Sequence, residues 1–155
     1  MKILILSSSD GRGGAFAAAY RLQVGLNQAG IKSKMLVRDK TRNDDNVIKY
    51  KSIVFDWWRN LGRKADKIPL FFYPRRQKHN LFTPAIIPER IEHDELVNNA
   101  DILHLHWVGN GFLRIETLKK INKPLVWTLH DLWAFTGGCH YPSECMGYAP
   151  VRWKQ

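Results

Sequence analysis

Residues 2–37 read KILILSSSDGRGGAFAAAYRLQVGLNQAGIKSKMLV, and this stretch carries the strongest fold signal in the chain. It opens with an apolar run that is typical of a strand buried on both faces of a parallel sheet. Apolar side chains then recur at helical spacing from Ala15 to Ala29, and Gly30 is well placed to end that helix. A second strand over 32–37 completes a βαβ unit, which is normally parallel and right-handed.

The second half of the chain repeats the alternation of strand and helix. Short apolar runs at 101–107 and 123–131 predict two more buried strands, and residues 113–122 between them predict a helix. A further helix is expected over 88–100, with Pro88 near its start. The sequence therefore predicts an α/β fold with a parallel sheet.

The middle of the chain is less regular. Within the polar segment 39–50 only a short strand is expected, and residues 53–68 predict a helix with one basic side. Residues 68–88 predict an irregular excursion because they contain four prolines. Basic and aromatic residues alternate from Trp57 to Arg76, which is typical of a helix on anionic lipid and of surfaces that bind single-stranded nucleic acid. The alternative is an ordinary domain helix whose basic side faces water.

The composition fits one folded domain. The chain has 155 residues, of which 45% are hydrophobic and 12% aromatic, and this argues against disorder. No apolar run approaches the roughly 20 residues of a membrane span, so we expect a soluble, non-secreted domain. Cys139 and Cys145 are too few for a disulfide framework and indicate a reducing compartment. The net charge of +10 favours anionic partners such as nucleic acid, anionic membrane or phosphorylated ligands.

Glycines follow the first predicted strand at positions 11, 13 and 14. They do not fit the G-x-G-x-x-G motif, because Phe16 occupies the third glycine position, and no Gly-Lys-Ser/Thr follows to make a P-loop. A nicotinamide enzyme and an ordinary NTPase are therefore disfavoured. A Gly-Gly pair at a helix N-terminus lets a ligand approach the backbone closely, and free N–H groups there favour an anion. The alternative is a tight turn from strand to helix.

Histidines cluster after the later strands, where ligands bind in an open parallel sheet. His104 and His106 share one face of a strand, and together with His130 they are candidates for the site of a metal-dependent hydrolase. His130 ends an apolar strand, where it can polarise a substrate oxygen or serve as a hydrogen-bonded core residue. Cys139, His140 and Cys145 have a loose spacing for zinc, and a loop with buried thiols is the preferred interpretation.

Three segments carry a resemblance to a known family: residues 2–37, ADILHLHWVGNGF at 100–112 and PLVWTLHDLWAFTGGCHY at 124–141. They resemble the N-terminal half of bacterial glycosyltransferases of group 1, or family 4, which have the GT-B architecture. The resemblance implies that residues 1–155 form a single Rossmann-like three-layer domain with a mostly parallel sheet, on the acceptor side of the enzyme. The C-terminal donor-binding domain would be absent, so the fragment is expected to be inactive alone.

The resemblance also implies a reaction and its partners. A sugar would pass from a nucleotide-sugar donor to a glycan or lipid-linked acceptor, with retention of configuration and without metal or cofactor. The enzyme would serve the synthesis of cell-surface polysaccharides. It would be cytoplasmic, with a peripheral position on the inner membrane face. An anionic membrane surface would be a partner, and nucleic acid would not. The alternative functions are a basic aromatic module that binds membrane or nucleic acid without catalysis, and the metal-dependent hydrolase.

Site residues follow from the same resemblance. Gly13 and Gly14 would lie near the donor diphosphate, and His130 would be the catalytic histidine that contacts the donor sugar at the cleft. The residues expected on the acceptor side are Arg12, His106, Trp107, Asp131, Trp133 and His140.

Overall fold

The computed structural model describes residues 1–11, 13–51, 61, 64–72, 81–86, 89–136 and 138–141. Arg12, Cys145 and much of the basic aromatic stretch Trp57–Arg76 lie outside the described residues, as does most of the helix predicted over 53–68. The described end of that helix is helical at residues 64–65, and a 3-10 helix follows at Ile68–Phe72. Among the described residues, no helix has the length and apolar character needed to cross a bilayer.

The described strands form one parallel sheet of five, in the order β3-β2-β1-β4-β5. In this order β2 and β3 lie on one side of β1, and the chain then crosses to the other side to form β4 and β5. In doubly wound sheets, the crevice that binds ligands opens at such a switch, here between β1 and β4. The strands are β1 (Lys2–Ser9), β2 (Lys32–Asp39), β3 (Val47–Lys49), β4 (Ile102–Leu105) and β5 (Leu125–Trp127).

The βαβ unit predicted from residues 2–37 is confirmed. Helix α1 (Gly14–Gln28) joins β1 to β2, and the two strands pair in parallel. Gly30 follows the helix with a φ of +78°, a left-handed conformation that glycine adopts without steric cost. The short strand expected within residues 39–50 is β3.

The prediction of one continuous helix over residues 88–100 is wrong. A 3-10 helix at Ile91–His93 comes first, and helix α2 (Glu95–Asn99) starts separately. Asp94 is extended between them and its side chain accepts the N–H of Leu96 at 2.8 Å, so it caps a new helix. Helix α3 (Ile115–Lys120) is the helix that residues 113–122 predicted.

Strand β5 departs from the prediction of a buried strand over 123–131. It spans only Leu125–Trp127, and the side chains of Leu125 and Val126 are 40% and 47% exposed. Strand β5 lies at the outer edge of the described sheet, where the described segments cover its faces less than those of the inner strands.

A buried core lies on each face of the sheet, which gives the three layers that the resemblance implied. Successive strand residues point to opposite faces, so Ile5 and Leu6 enter different cores. On one face α1 packs through Ala19, Leu22 and Leu26 against Ile5, Met35 and Val37. The other core holds Leu4, Leu6, Leu36, Ile91, Val97, Phe112 and Leu113 among its buried side chains. The fold is therefore an α/β, Rossmann-like domain.

Candidate functional site

The carboxyl ends of β1, β4 and β5 meet at one edge of the sheet. Leu105 of β4 pairs with Leu6 of β1 and with Trp127 of β5, so these three strands end side by side. The chain segments that leave β4 and β5 at this edge carry the predicted site residues from His106 to Trp107 and from His130 to His140. Parallel α/β sheets bind ligands at this edge.

The glycine loop reaches the same edge after β1. Gly13 precedes α1 with a φ of +133°, a conformation that disfavours any side chain. No described side chain caps the helix, and a Cβ placed on Gly14 would meet nothing within 4 Å. The N-terminus of α1 is therefore open to a ligand, with N–H groups and the positive end of the helix dipole facing outward.

Trp107 connects this loop with the end of β4. The ring of Phe16, in the first turn of α1, meets the ring of Trp107 edge to face at a centroid distance of 5.7 Å. The carbonyl of Trp107 accepts the N–H of Ser8 at 2.8 Å, and Ser8 Oγ donates to the carbonyl of Gly109 at 2.7 Å. Contacts with residues of β1 and α1 therefore hold Trp107 close to Gly13 and Gly14.

Asp131 is the centre of a hydrogen-bond network. Its Oδ2 accepts the indole N–H of Trp107 at 2.8 Å and lies 2.6 Å from Nδ1 of His140. Its Oδ1 accepts the backbone N–H of Trp133 at 2.9 Å. On the far side of the imidazole, His140 Nε2 lies 2.8 Å from Thr83 Oγ1. The network joins four predicted acceptor-side residues to the loop that contains Thr83.

Two of those residues are buried. His140 is 1% and Trp133 is 6% exposed, and their rings stack with an interplanar angle of 9°. The indole N–H of Trp133 donates to the carbonyl of Thr83 at 2.9 Å. Both side chains therefore hold the loops together in this conformation, whereas Trp107 and Asp131 are half-buried. Their role towards an acceptor stays a prediction.

The rings of three histidines, one in β4 and two in the segments after β4 and β5, pack in a row with tilted planes. His104 and His106 have ring centroids 4.7 Å apart, and His106 and His130 are 5.1 Å apart. His106 Nδ1 lies 2.9 Å from His130 Nε2, and His104 Nε2 lies 2.8 Å from Thr128 Oγ1. Burial lowers the pKa of His106 to about 4, and the neighbouring His104 and His130 contribute in the same direction. Burial also lowers the pKa of His104.

The space between these groups is small. A crevice of about 10 Å³ lies among residues of both networks, including His106, His130 and Asp131. This volume holds about one water molecule, so a sugar would bind outside the crevice. In the described part of the chain, no group of three or more His, Cys, Asp or Glu side chains is arranged to hold a metal ion.

Sequence reasoning missed several polar residues at this edge. Asp10 is fully buried directly after β1, and its carboxylate accepts the N–H groups of Thr41 at 2.7 Å and Arg42 at 2.8 Å. Arg38, at the end of β2, is 3% exposed and donates to the carbonyl of Asn110. Both residues could have been identified in the sequence, because each is a charged residue at the end of a predicted strand. Thr83 gave no such signal, because it lies in the irregular middle of the chain.

The comparison with protein families decides the class of the molecule. A family model for Glycosyltransferase Family 4 matches residues 12–154. The chain belongs to glycosyltransferase family 4. The family assignment and the fold that the resemblance implied are thereby confirmed.

One curated relative of this family 4 domain is also named as a glycosyl transferase. The putative colanic acid biosynthesis glycosyl transferase WcaC of Escherichia coli (strain K12) is 37% identical over 57 residues. The match covers 34% of this chain and 14% of that protein, so the matched segment is a small part of the relative's length. No solved structure matches the chain significantly.

Proposed function

We propose that this family 4 domain is the acceptor-side half of a retaining glycosyltransferase that moves a hexose from a nucleotide-sugar donor to a glycan or lipid-linked acceptor. The convergence of the glycine loop, the His106–His130 pair and the Trp107–Asp131 network at one sheet edge carries the proposal. The name of the relative, a colanic acid biosynthesis glycosyl transferase, supports cell-surface polysaccharide synthesis as the setting.

The glycine loop supplies the donor side of the proposed reaction. A nucleotide-sugar diphosphate is an anion, and the open N-terminus of α1 at Gly13 and Gly14 attracts negative charge. Departure of the nucleoside diphosphate increases the negative charge on its leaving oxygen. Backbone N–H groups aimed at that oxygen stabilise the transition state more than the ground state. This step uses backbone groups of the chain itself.

His130 acts on the donor sugar in this proposal. It is half-buried at the carboxyl end of β5, and its Nε2 is engaged with His106. Its second ring nitrogen, Nδ1, makes no hydrogen bond within the described residues and is available to a ligand. The acceptor approaches across the Trp107 and Asp131 side of the same edge.

A transfer assay tests the proposal directly. The purified chain and, in parallel, the product of its complete reading frame are incubated with a panel of radiolabelled nucleotide sugars and lipid-linked acceptors. We expect transfer, with retained configuration, only for a protein that also contains a donor-binding domain, and none from the 155 residues alone. Transfer by the isolated chain would overturn the assignment as half a site. Hydrolysis of phosphate or ester substrates that depends on added metal would favour the hydrolase instead.

A second surface supports attachment to a membrane. Phe71 and Phe72 are 83% and 85% exposed at the end of a 3-10 helix, and Ile68 in the same helix is 53% exposed. The exposed Lys64 and Lys67 precede them in the chain. Aromatic side chains enter the boundary between headgroups and acyl chains, while lysines attract anionic headgroups. We propose that this surface holds the enzyme on the inner membrane face, close to lipid-linked acceptors.

A further inference from the structure

His106 has one ring nitrogen that is buried without a partner. Its Nε2 is inaccessible to solvent and makes no hydrogen bond with any described residue. Its other nitrogen, Nδ1, lies 2.9 Å from Nε2 of His130, so a single hydrogen bond joins the two rings. The proton in that bond belongs to one ring or the other, and the two arrangements have different consequences.

In the first arrangement His106 Nδ1–H donates to His130 Nε2. His106 Nε2 is then an unprotonated acceptor, and neutral His130 carries its proton on Nδ1. In the second arrangement His130 Nε2–H donates to His106 Nδ1. Neutral His106 must then carry a proton on its buried Nε2, where no described group accepts it. In folded proteins a buried N–H without an acceptor is rarer than a buried acceptor that lacks a donor.

We propose that His106 is a positioning residue, whose Nδ1–H donates to His130 Nε2 and holds His130 in the neutral tautomer that is protonated on Nδ1. Its use in catalysis rests on the proposed function, whereas the tautomer itself is a property of the free protein. The ring of His104 packs beside that of His106 at a centroid distance of 4.7 Å, but its own hydrogen bond is to Thr128.

The surroundings of His106 favour this role. Burial lowers the pKa of His106 to about 4, so near neutral pH its ring carries a single proton, which the proposed arrangement places on Nδ1. His130 Nδ1–H then serves as a hydrogen-bond donor towards the ligand. In the proposed reaction it would hold an oxygen of the donor sugar, and it would not remove a proton from the acceptor.

The position of the protons can be read directly by NMR. Long-range ¹H–¹⁵N spectra of the imidazoles are recorded on the ¹⁵N-labelled chain near neutral pH, and H130Q identifies the His130 signals. The same spectra are recorded for H106L and H104N. H104N is the matched control on the same strand face, since His104 bonds to Thr128 and not to His130.

In the wild type and in H104N, we expect His130 with a protonated Nδ1 and an unprotonated Nε2. In H106L we expect the averaged signals of two exchanging tautomers. A wild-type His130 protonated on Nε2 would overturn the proposal, as would a folded H106L with an unchanged His130. If H106L does not fold, the wild-type spectrum decides, because a wild-type His130 protonated on Nε2 contradicts the inference by itself. None of these outcomes depends on transfer activity, so the inference can fail while the proposed function stands.

Discussion

Asp131 Oδ2 lies 2.6 Å from Nδ1 of His140, and this contact is the junction between two loops at the ligand edge of the sheet. A carboxylate only accepts hydrogen bonds, so His140 Nδ1 carries a proton there. The same oxygen also accepts from Trp107, which contacts the first turn of α1 through Phe16. The position of Trp107 beside the glycine loop therefore depends on a carboxylate that follows β5.

Replacement of Asp131 by alanine is expected to destabilise the fold by about 2–4 kcal/mol, because the donors of Trp107, Trp133 and His140 lose their common acceptor in a largely buried site. Urea unfolding followed by tryptophan fluorescence measures this loss. The matched control is Asp45→Ala, at an exposed aspartate, which we expect to change stability by less than about 0.5 kcal/mol. Equal stability of the two variants would contradict the role of Asp131.

The buried His106 makes stability depend on pH. Its folded-state pKa of about 4 lies below the ordinary value of 6.5, so between these values the unfolded chain binds more protons than the folded chain. Stability from this residue is therefore present above pH 6.5 and is lost as the pH falls towards 4. The loss is on the order of 2–3 kcal/mol, and His104 adds to it in the same direction.

The variant H106N isolates that contribution, because asparagine does not titrate. We expect the free energy of unfolding of H106N to fall less steeply than that of the wild type between pH 6.5 and 4. Urea unfolding at a series of pH values measures both slopes. Parallel slopes would show that His106 titrates alike in the folded and unfolded chain.

Gly13 is the N-cap of α1, and Gly25 lies within the helix. Variants at these two positions distinguish the predicted anion binding by the glycine loop from the stability of the helix. Gly13→Ala places a side chain at a φ of +133° and 3.2 Å from the ring of Phe16, so we expect a loss of about 1–3 kcal/mol. Gly25→Ala lies in the same helix in open space and is expected to stabilise it by roughly 0.5–1 kcal/mol.

The same pair tests anion binding. Titration of each variant with a nucleoside diphosphate, at a temperature where both are folded, measures affinity. We expect binding to weaken in Gly13→Ala and to persist in Gly25→Ala, because only Gly13 borders the open helix N-terminus. Wild-type affinity in Gly13→Ala would place the diphosphate elsewhere.

The exposed aromatic pair predicts attachment to vesicles. Changing both Phe71 and Phe72 to serine is expected to weaken binding to anionic vesicles by roughly tenfold or more, since each phenylalanine that enters lipid contributes on the order of 1 kcal/mol. Co-sedimentation with anionic and neutral vesicles gives the measurement. Phe135→Ser is the control, because Phe135 is 66% exposed in a different 3-10 helix. Equal binding of the wild type to both kinds of vesicle would exclude this surface as an anionic-membrane anchor.

Local signals in the sequence were enough to predict the first βαβ unit. The apolar run of β1, the helical spacing of α1 and Gly30 at its end lie within one continuous stretch, and each depends on residues a few positions apart. Local patterns did not predict where α2 begins, because Asp94 is extended and caps a new helix instead of continuing an earlier one. They also misjudged β5, because burial depends on what covers a strand and not on its own composition.

Which site residues meet depends on the three-dimensional arrangement of the chain. His106 and His130 are 24 positions apart and touch because β4 and β5 pair in a particular register. Thr83 and His140 are 57 positions apart, and nothing in the residues around Thr83 indicates its partner. Hydrogen bonds between distant segments depend on how the strands and loops are arranged in space. The sequence predicted several of the side chains that lie at the carboxyl edge of the sheet, and the fold decided which of them contact one another.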